Sequence, residues 1–158
     1  MSAPPRPRFV WDTSALVAAW VERYPIDILP ALWDRLIASI QAGEMIAPEE
    51  VQVELGKRST DLLDFLKPCD DFFAPTDGPV LAEVAAILAR HPKLVMERKR
   101  AFAADPFVIA TARILGAAIV TEEGRGSPGK PKIPDVCDAY GVECINLLDL
   151  IRKVGWKF

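Results

Sequence analysis

The stretch FVWDTSALVAAW, residues 9–20, joins two kinds of sequence pattern. Its first three residues are large and apolar, which predicts a short buried strand, and the apolar residues from Ala15 to Trp20 predict a helix. Asp12 lies at the junction. A strand that leads directly into a helix favours an α/β fold, and two roles remain open for this aspartate. It either only caps the helix or forms one wall of a functional site.

The rest of the chain repeats this alternation of short apolar strands and amphipathic helices. The clearest helix is LPALWDRLIASIQAG, with Pro30 near its start and Gly43 just beyond its end. Further helices are predicted at PEEVQVELGK, TDLLDFLK, GPVLAEVAAILAR (capped by Asp77), PFVIATARIL (capped by Asp105 and stopped by Gly116), DVCDAY and LLDLIRKV (capped by Asn146). Strands are predicted at MIA, AAIVT and VECI, whereas DDFFAP is ambiguous.

Strands separated by helices imply right-handed crossovers and a mostly parallel sheet covered on both faces. The sequence therefore predicts a three-layer α/β/α sandwich. With 158 residues, of which 51% are hydrophobic, we expect one domain over residues 9–158, preceded by a flexible arm over residues 1–8.

Composition limits the classes of protein to consider. Cys69, Cys137 and Cys144 have neither CxxC spacing nor a histidine cluster nearby, which argues against a disulfide framework or zinc site and favours the cytoplasm. No apolar run follows the N-terminal residues, so neither a signal peptide nor a membrane anchor is predicted.

The net charge of −3 argues against bulk attraction to nucleic acid, yet residues 90–132 carry nine basic and four acidic side chains, a local charge of +5. Either a polyanion track or a solvated face explains that excess.

Acidic residues occupy the places where a parallel sheet builds its ligand crevice, beyond the carboxyl ends of the strands. Asp12 follows the first strand, and Glu122 and Glu123 follow AAIVT. Asp105 begins the helix that leads into AAIVT, and Glu54 lies in a helix beside a core-like leucine. Each has a structural alternative, as a helix cap for the two aspartates or a surface or loop residue for the glutamates.

Carboxylates that converge without a cation repel one another, and a hard divalent cation such as Mg²⁺ or Mn²⁺ relieves that repulsion. Two such ions about 4 Å apart support displacement at phosphorus. This chemistry needs no histidine. His91 is the only histidine in the chain and is interpreted as a surface residue, which excludes a nuclease that uses two imidazoles.

The motifs together resemble the PIN-domain nucleases, the fold of the toxins in VapBC-type toxin–antitoxin pairs. VWDTSALV is similar to the family's first motif, VQVELGK to its second, and ADPFVIATARILGAAIVTEE to its third and fourth, while the closing 27 residues resemble a bacterial and archaeal PIN subfamily. The resemblance implies four catalytic acidic residues: Asp12, Glu54, Asp105 and Glu123. It also implies metal binding by Asp12, Asp105, Glu123 and, unless it only caps the next helix, Asp135.

The resemblance further implies an Mg²⁺- or Mn²⁺-dependent endoribonuclease that leaves 5′-phosphate and 3′-hydroxyl ends. It implies an RNA substrate, an antitoxin partner and a homodimer, with no membrane association. Thr13, Ser14 and Thr121 are candidates for orienting a carboxylate or water through their hydroxyls. The candidates for phosphate contacts are basic side chains of the positive segment: Arg98, Lys99, Arg100, Arg125, Lys130 and Lys132.

Two alternatives remain. The first is a catalytically weak PIN-like module that binds RNA or a protein, because Glu123 replaces the family's usual aspartate and the overall charge is moderate. The second is a phosphotransfer enzyme of the haloacid dehalogenase type, which also places an aspartate after its first strand. That type requires a second aspartate two residues later, where this chain has Ser14.

Overall fold

A computed structural model describes residues 6–95 and 104–158. Its centre is a five-stranded, all-parallel sheet in which Phe9 of the middle strand pairs with Met45 on one side and Ala118 on the other. The strand order is β3-β2-β1-β4-β5, where the strands are β1 (Phe9–Trp11), β2 (Met45–Pro48), β3 (Phe73–Ala74), β4 (Ala118–Val120) and β5 (Cys144–Ile145).

Eight α-helices flank this sheet in the described residues, which confirms the predicted three-layer α/β/α sandwich. They are α1 (Thr13–Val17), α2 (Pro30–Gln41), α3 (Glu49–Arg58), α4 (Thr60–Leu66), α5 (Gly78–Arg90), α6 (Ala104–Leu115), α7 (Ile133–Tyr140) and α8 (Leu147–Val154). A π-helical turn (Ala18–Arg23) continues α1, and short 3₁₀ turns cover Asp70–Phe72 and Pro92–Leu94.

Several predicted helix ends are confirmed by their hydrogen bonds. Asp77 accepts a hydrogen bond from the Val80 N–H at 3.0 Å, and Asn146 accepts one from the Asp149 N–H at 2.8 Å. Gly116 follows α6 with a φ of 64°, a left-handed conformation that glycine adopts without the steric penalty of a Cβ. Local sequence signals therefore fix these boundaries.

Other local predictions differ from the structure. Asp105 does not precede its helix, because α6 begins at Ala104 and includes Asp105 in its first turn. Arg8 does not belong to a free arm, since its N–H donates to Glu44 O and its carbonyl accepts from the Ala118 N–H; residues 1–5 lie outside the described residues. His91 is half-buried and packs edge-to-face on Tyr140 with 5.5 Å between ring centroids, so it is not a plain surface residue.

The core explains why β1 occupies the centre of the sheet. Phe9, Val10 and Trp11 are each at most 1% exposed, and burying such side chains stabilises the fold by about 1.5–3 kcal/mol apiece. The apolar faces of α2 and α4 also point into the core, as shown by Leu32, Trp33, Leu36, Leu62 and Leu66. Most apolar residues of these two helices therefore serve packing.

The sheet order reverses direction between β1 and β4. From β1 the chain moves outward to β2 and β3 on one side, and it then crosses to β4 and β5 on the other. The carboxyl ends of β1 and β4 meet at this reversal, where Asp12 and Thr121 follow the two strands and where parallel sheets commonly bind ligands. None of the helices in the described residues is both long and apolar enough to cross a bilayer.

Candidate acidic site at the end of the central strands

Asp12 is the buried centre of the candidate site. It occupies the N-cap position of α1 with extended backbone angles, yet its side chain makes no capping hydrogen bond and is only 1% exposed. Instead, its Oδ2 accepts hydrogen bonds from the Ser14 hydroxyl at 2.5 Å and the Thr121 hydroxyl at 2.9 Å. The carboxylate thus joins the ends of β1 and β4.

Backbone N–H groups hold the oxygens of those two hydroxyls in place. The Glu122 N–H donates to Ser14 Oγ at 3.1 Å, and the Glu123 N–H donates to Thr121 Oγ1 at 3.0 Å. A hydroxyl has a single proton to donate. Each oxygen accepts from the backbone through a lone pair and keeps its one proton for Asp12, so two hydroxyls donate to one carboxylate oxygen.

Burial raises the pKa of Asp12 above its ordinary value, because the charged carboxylate is removed from water. The hydrogen bonds from Ser14 and Thr121 act in the opposite direction, as do the nearby N–H groups of Thr13 and Ser14, although these do not reach capping geometry. The site therefore holds a carboxylate that is costly to charge and is partly compensated by four donors.

Glu54 is the second carboxylate of the site. Burial raises its pKa to about 7, with further contributions from the negative charges of Asp12 and Glu123. The Thr13 hydroxyl and Arg58 lower it. Within the described part of the chain, Thr13 Oγ1 and Glu54 Oε1 are buried atoms without a regular hydrogen-bond partner, so the hydroxyl approaches Glu54 outside hydrogen-bond geometry. Two such buried oxygens have unused capacity to bind a ligand.

The two glutamates after β4 have different surroundings. Glu122 forms an ion pair with Arg23 at 2.7 Å, and its other carboxylate oxygen accepts from the Leu147 N–H at 3.4 Å. Glu123 accepts from the Ile133 N–H at 3.3 Å, and its charge is felt by Glu54. Of the two, Glu123 is therefore the one electrostatically coupled to the buried carboxylates.

Asp105 is brought toward this region by α6, which packs against β1 and α3. Its side chain is 3% exposed, and a buried carboxylate requires compensating partners. No three Asp, Glu, His or Cys side chains within residues 6–95 and 104–158 already lie close enough together to hold one metal ion. Binding by Asp12, Glu54, Asp105 and Glu123 would therefore require side-chain rotation.

Asp135 has a structural role in the contacts that the structure shows. It is the third residue of α7, not its N-cap, and its Oδ2 accepts from the N–H groups of Gly126 and Lys132 at 2.7 and 2.8 Å. These bonds tie the 124–132 loop to the start of α7. Metal binding by Asp135 stays a prediction.

The predicted RNA-binding residues are spread over different surroundings. Arg98, Lys99 and Arg100 lie outside the described residues. Arg125 is exposed and forms an ion pair with Asp138, while Lys130 is exposed and Lys132 half-buried. The loop that carries these side chains begins directly after Glu123, just beyond the end of β4, so it borders the acidic site.

The oxygen-only donor set is the kind that Mg²⁺ and Mn²⁺ prefer. The unpartnered Glu54 Oε1 and Thr13 Oγ1, together with the negative charges of Asp12 and Glu123 that raise the pKa of Glu54, fit a cation, which would supply the missing positive charge. The chemistry of these residues thus agrees with a divalent ion.

Sequence comparison assigns the chain to a family. The profile of the family described as "Domain of unknown function (DUF4411)" matches residues 9–158. The chain belongs to this family. The DUF4411 match includes all five strands and every acidic residue discussed above. No curated protein matches the chain.

Sequence reasoning missed Arg23 and the role of Glu122. Arg23 is the last residue of the π-helical turn. The turn rotates the Arg23 side chain relative to its direction in a regular α-helix, and the side chain reaches Glu122, 99 residues later in the sequence. Neither the π turn nor this long-range pair leaves a periodic signal in the sequence.

Proposed function

We propose that this DUF4411 protein is a cytoplasmic, Mg²⁺- or Mn²⁺-dependent endoribonuclease of the PIN type. The observation that carries the proposal is the pair of carboxylates near the strand-order reversal, the buried Asp12 and the half-buried Glu54. The pKa of each carboxyl group is raised, and the negative charge of Asp12 contributes to the rise at Glu54. Stability alone does not require such a pair, because hydrophobic residues of similar size would fill the same space at lower cost.

In this proposal Asp12, Glu54, Asp105 and Glu123 hold the cation, with Asp135 as a further candidate. When bound, the ion would lower the pKa of a water molecule and neutralise charge on the phosphate. The chain itself supplies orientation: Ser14 and Thr121 fix Asp12, and Thr13 contacts Glu54. Because its pKa is about 7, Glu54 gives up its proton easily near neutral pH when a cation binds.

The basic loop beside the site supplies the proposed RNA contacts. Arg125, Lys130 and Lys132 follow the acidic strand end by two to nine residues, and basic side chains at such a position bind phosphates without reading bases. The motif resemblance also supports a toxin of a type II toxin–antitoxin pair that forms a homodimer and is inhibited by an antitoxin protein.

A catalytically weak RNA- or protein-binding module is the second candidate. It is favoured by the lack of a ready-made ion cluster in the described residues and by the Glu123 carboxylate, which bonds to the Ile133 N–H. A weak module would bind RNA equally well with and without a divalent ion.

Cleavage of a single-stranded RNA by purified protein, titrated with Mg²⁺ and Mn²⁺, separates the two candidates. Asp12→Asn keeps the size of the side chain and removes its charge, and it should abolish cleavage. Asp61→Asn, at an exposed position in the first turn of α4, is the matched control and should cleave at the parental rate. Metal-independent cleavage, or full activity in Asp12→Asn, would refute the proposal.

A further inference from the structure

Glu122 connects two ends of one continuous helical segment to the end of β4. Its backbone N–H donates to the Ser14 hydroxyl at 3.1 Å, near the start of α1. Its carboxylate accepts from Arg23 Nη1 at 2.7 Å, at the end of the π-helical turn. A single residue thus braces a helical segment that begins at Thr13 and ends at Arg23.

The backbone contact of Glu122 holds the Ser14 hydroxyl beside Asp12. Ser14 Oγ lies 2.5 Å from Asp12 Oδ2 and 3.2 Å from Thr121 Oγ1, so two orientations of its proton are available. The Glu122 N–H donates to Ser14 Oγ and the Glu123 N–H donates to Thr121 Oγ1, while both hydroxyls donate to Asp12 Oδ2. A shift of the Glu122 backbone would remove the contact that keeps Ser14 Oγ beside Asp12.

The carboxylate of Glu122 is well suited to hold its own backbone in place. Its side chain is only 11% exposed, and Arg23 and the Leu147 N–H each bind one of its oxygens. Exposed ion pairs usually add little stability. Here, however, removing Arg23 would leave a mostly buried carboxylate with one long hydrogen bond, and the group would turn toward water to recover hydration.

We propose that Arg23 and Glu122 are positioning residues that hold the Ser14 hydroxyl on Asp12. This inference rests on the proposed nuclease function for its catalytic consequence, but the brace itself can be measured without activity. Neither side chain touches the phosphate or the cation in this account; both act through the Glu122 backbone.

The test compares Arg23→Met, Arg23→Lys and Glu122→Gln with Lys153→Met in the full chain. Lys153→Met is the control, because it removes an ion pair of similar length, 2.9 Å to Glu143, elsewhere on the surface. The first readout is hydrogen exchange of the Glu122 amide by NMR. The second is kcat and KM for RNA cleavage in Mn²⁺.

We expect the Glu122 amide to exchange at least tenfold faster in Arg23→Met and Glu122→Gln. We expect kcat to fall at least fivefold in these variants while KM changes less than twofold, since RNA contacts are untouched. Arg23→Lys should recover most of both effects, and Lys153→Met should match the parent.

Unchanged amide exchange in Arg23→Met would overturn the brace. Faster exchange with an unchanged kcat, or a loss of activity carried by KM, would overturn the positioning role. If the parent protein cleaves no RNA at all, the proposed function fails, and the amide exchange still decides the brace alone.

Discussion

Replacing Glu54 with glutamine tests the electrostatics of the site without any substrate. The pKa of Glu54 rises from 4.5 to about 7 on folding, mainly because of burial and then because of the Asp12 charge. Below pH 4.5 Glu54 is protonated in both the folded and the unfolded chain, so the pKa shift does not change the free energy of unfolding. Between pH 4.5 and 7 the unfolded chain ionises first, and the parent protein loses stability as pH rises. Above pH 7 Glu54 is ionised in both states, and the folded protein is destabilised by the full free energy of the pKa shift.

The magnitude follows from the size of the shift. At 1.36 kcal/mol per pKa unit, the upper limit is about 3.4 kcal/mol. Since Glu54 is only half-buried, solvent screening reduces this to roughly 1–2 kcal/mol. Glutamine resembles the protonated acid and avoids the cost. For a chain of this length, Glu54→Gln should therefore raise Tm by roughly 2–8 °C at pH 8 and leave it nearly unchanged at pH 4.5.

Thermal unfolding in a metal chelator, followed by circular dichroism at pH 4.5, 6 and 8, measures this difference. Glu22→Gln, at an exposed position, is the control and should not alter the pH profile. Added Mn²⁺ should reverse the order at pH 8, because it stabilises the parent and not Glu54→Gln. If Glu54→Gln is no more stable than the parent at pH 8 in chelator, the ionised Glu54 does not destabilise the folded protein. That result would refute the explanation from burial and the Asp12 charge.

Three further predictions concern other parts of the chain. Replacing Lys130 and Lys132 with alanine should weaken RNA binding and flatten its dependence on salt, measured as affinity at two salt concentrations; an unchanged salt slope would place the RNA elsewhere. Gly126→Ala should loosen the loop before α7, because its Cβ would collide with the Lys130 carbonyl oxygen; limited proteolysis should cut this loop faster, and parental resistance would contradict the close approach. Asn146→Ala removes the cap of α8 and should lower the unfolding free energy by about 1 kcal/mol in urea, whereas no change would mean that another group replaces the cap.

The sequence predicts those parts of the fold that depend on local chemistry. The apolar run of β1, the α2 pattern that begins at Pro30, and the caps at Asp77 and Asn146 each combine periodicity with a specific boundary residue, and the structure confirms them. The parallel direction of the strands followed from the rule for helical crossovers, whereas the strand order was not predicted and comes from the structure. DDFFAP remained ambiguous because a 3₁₀ turn and the two-residue strand β3 are too short for a period to develop.

Much less of the site could be predicted. Acidic residues at strand ends could be named, but not that the two hydroxyls of Ser14 and Thr121 would converge on one oxygen of Asp12, since they are 107 residues apart. The motif resemblance selected Glu123, but the sequence did not show that Glu122 would pair with Arg23. At Asp135 nothing in the sequence showed that the carboxylate would accept from two backbone N–H groups, and its metal binding stays a prediction.

The central claim is that the carboxylates of Asp12, Glu54, Asp105 and Glu123 form a divalent-cation site. Calorimetric titration of Mn²⁺ into the chelator-treated protein at pH 7.5 tests it most directly, with Asp12→Asn and the exposed control Asp61→Asn measured alongside. The account predicts saturable binding of one or two ions to the parent and to Asp61→Asn, and its loss in a folded Asp12→Asn protein. Equal binding by Asp12→Asn, or no saturable binding by the parent, would contradict the claim.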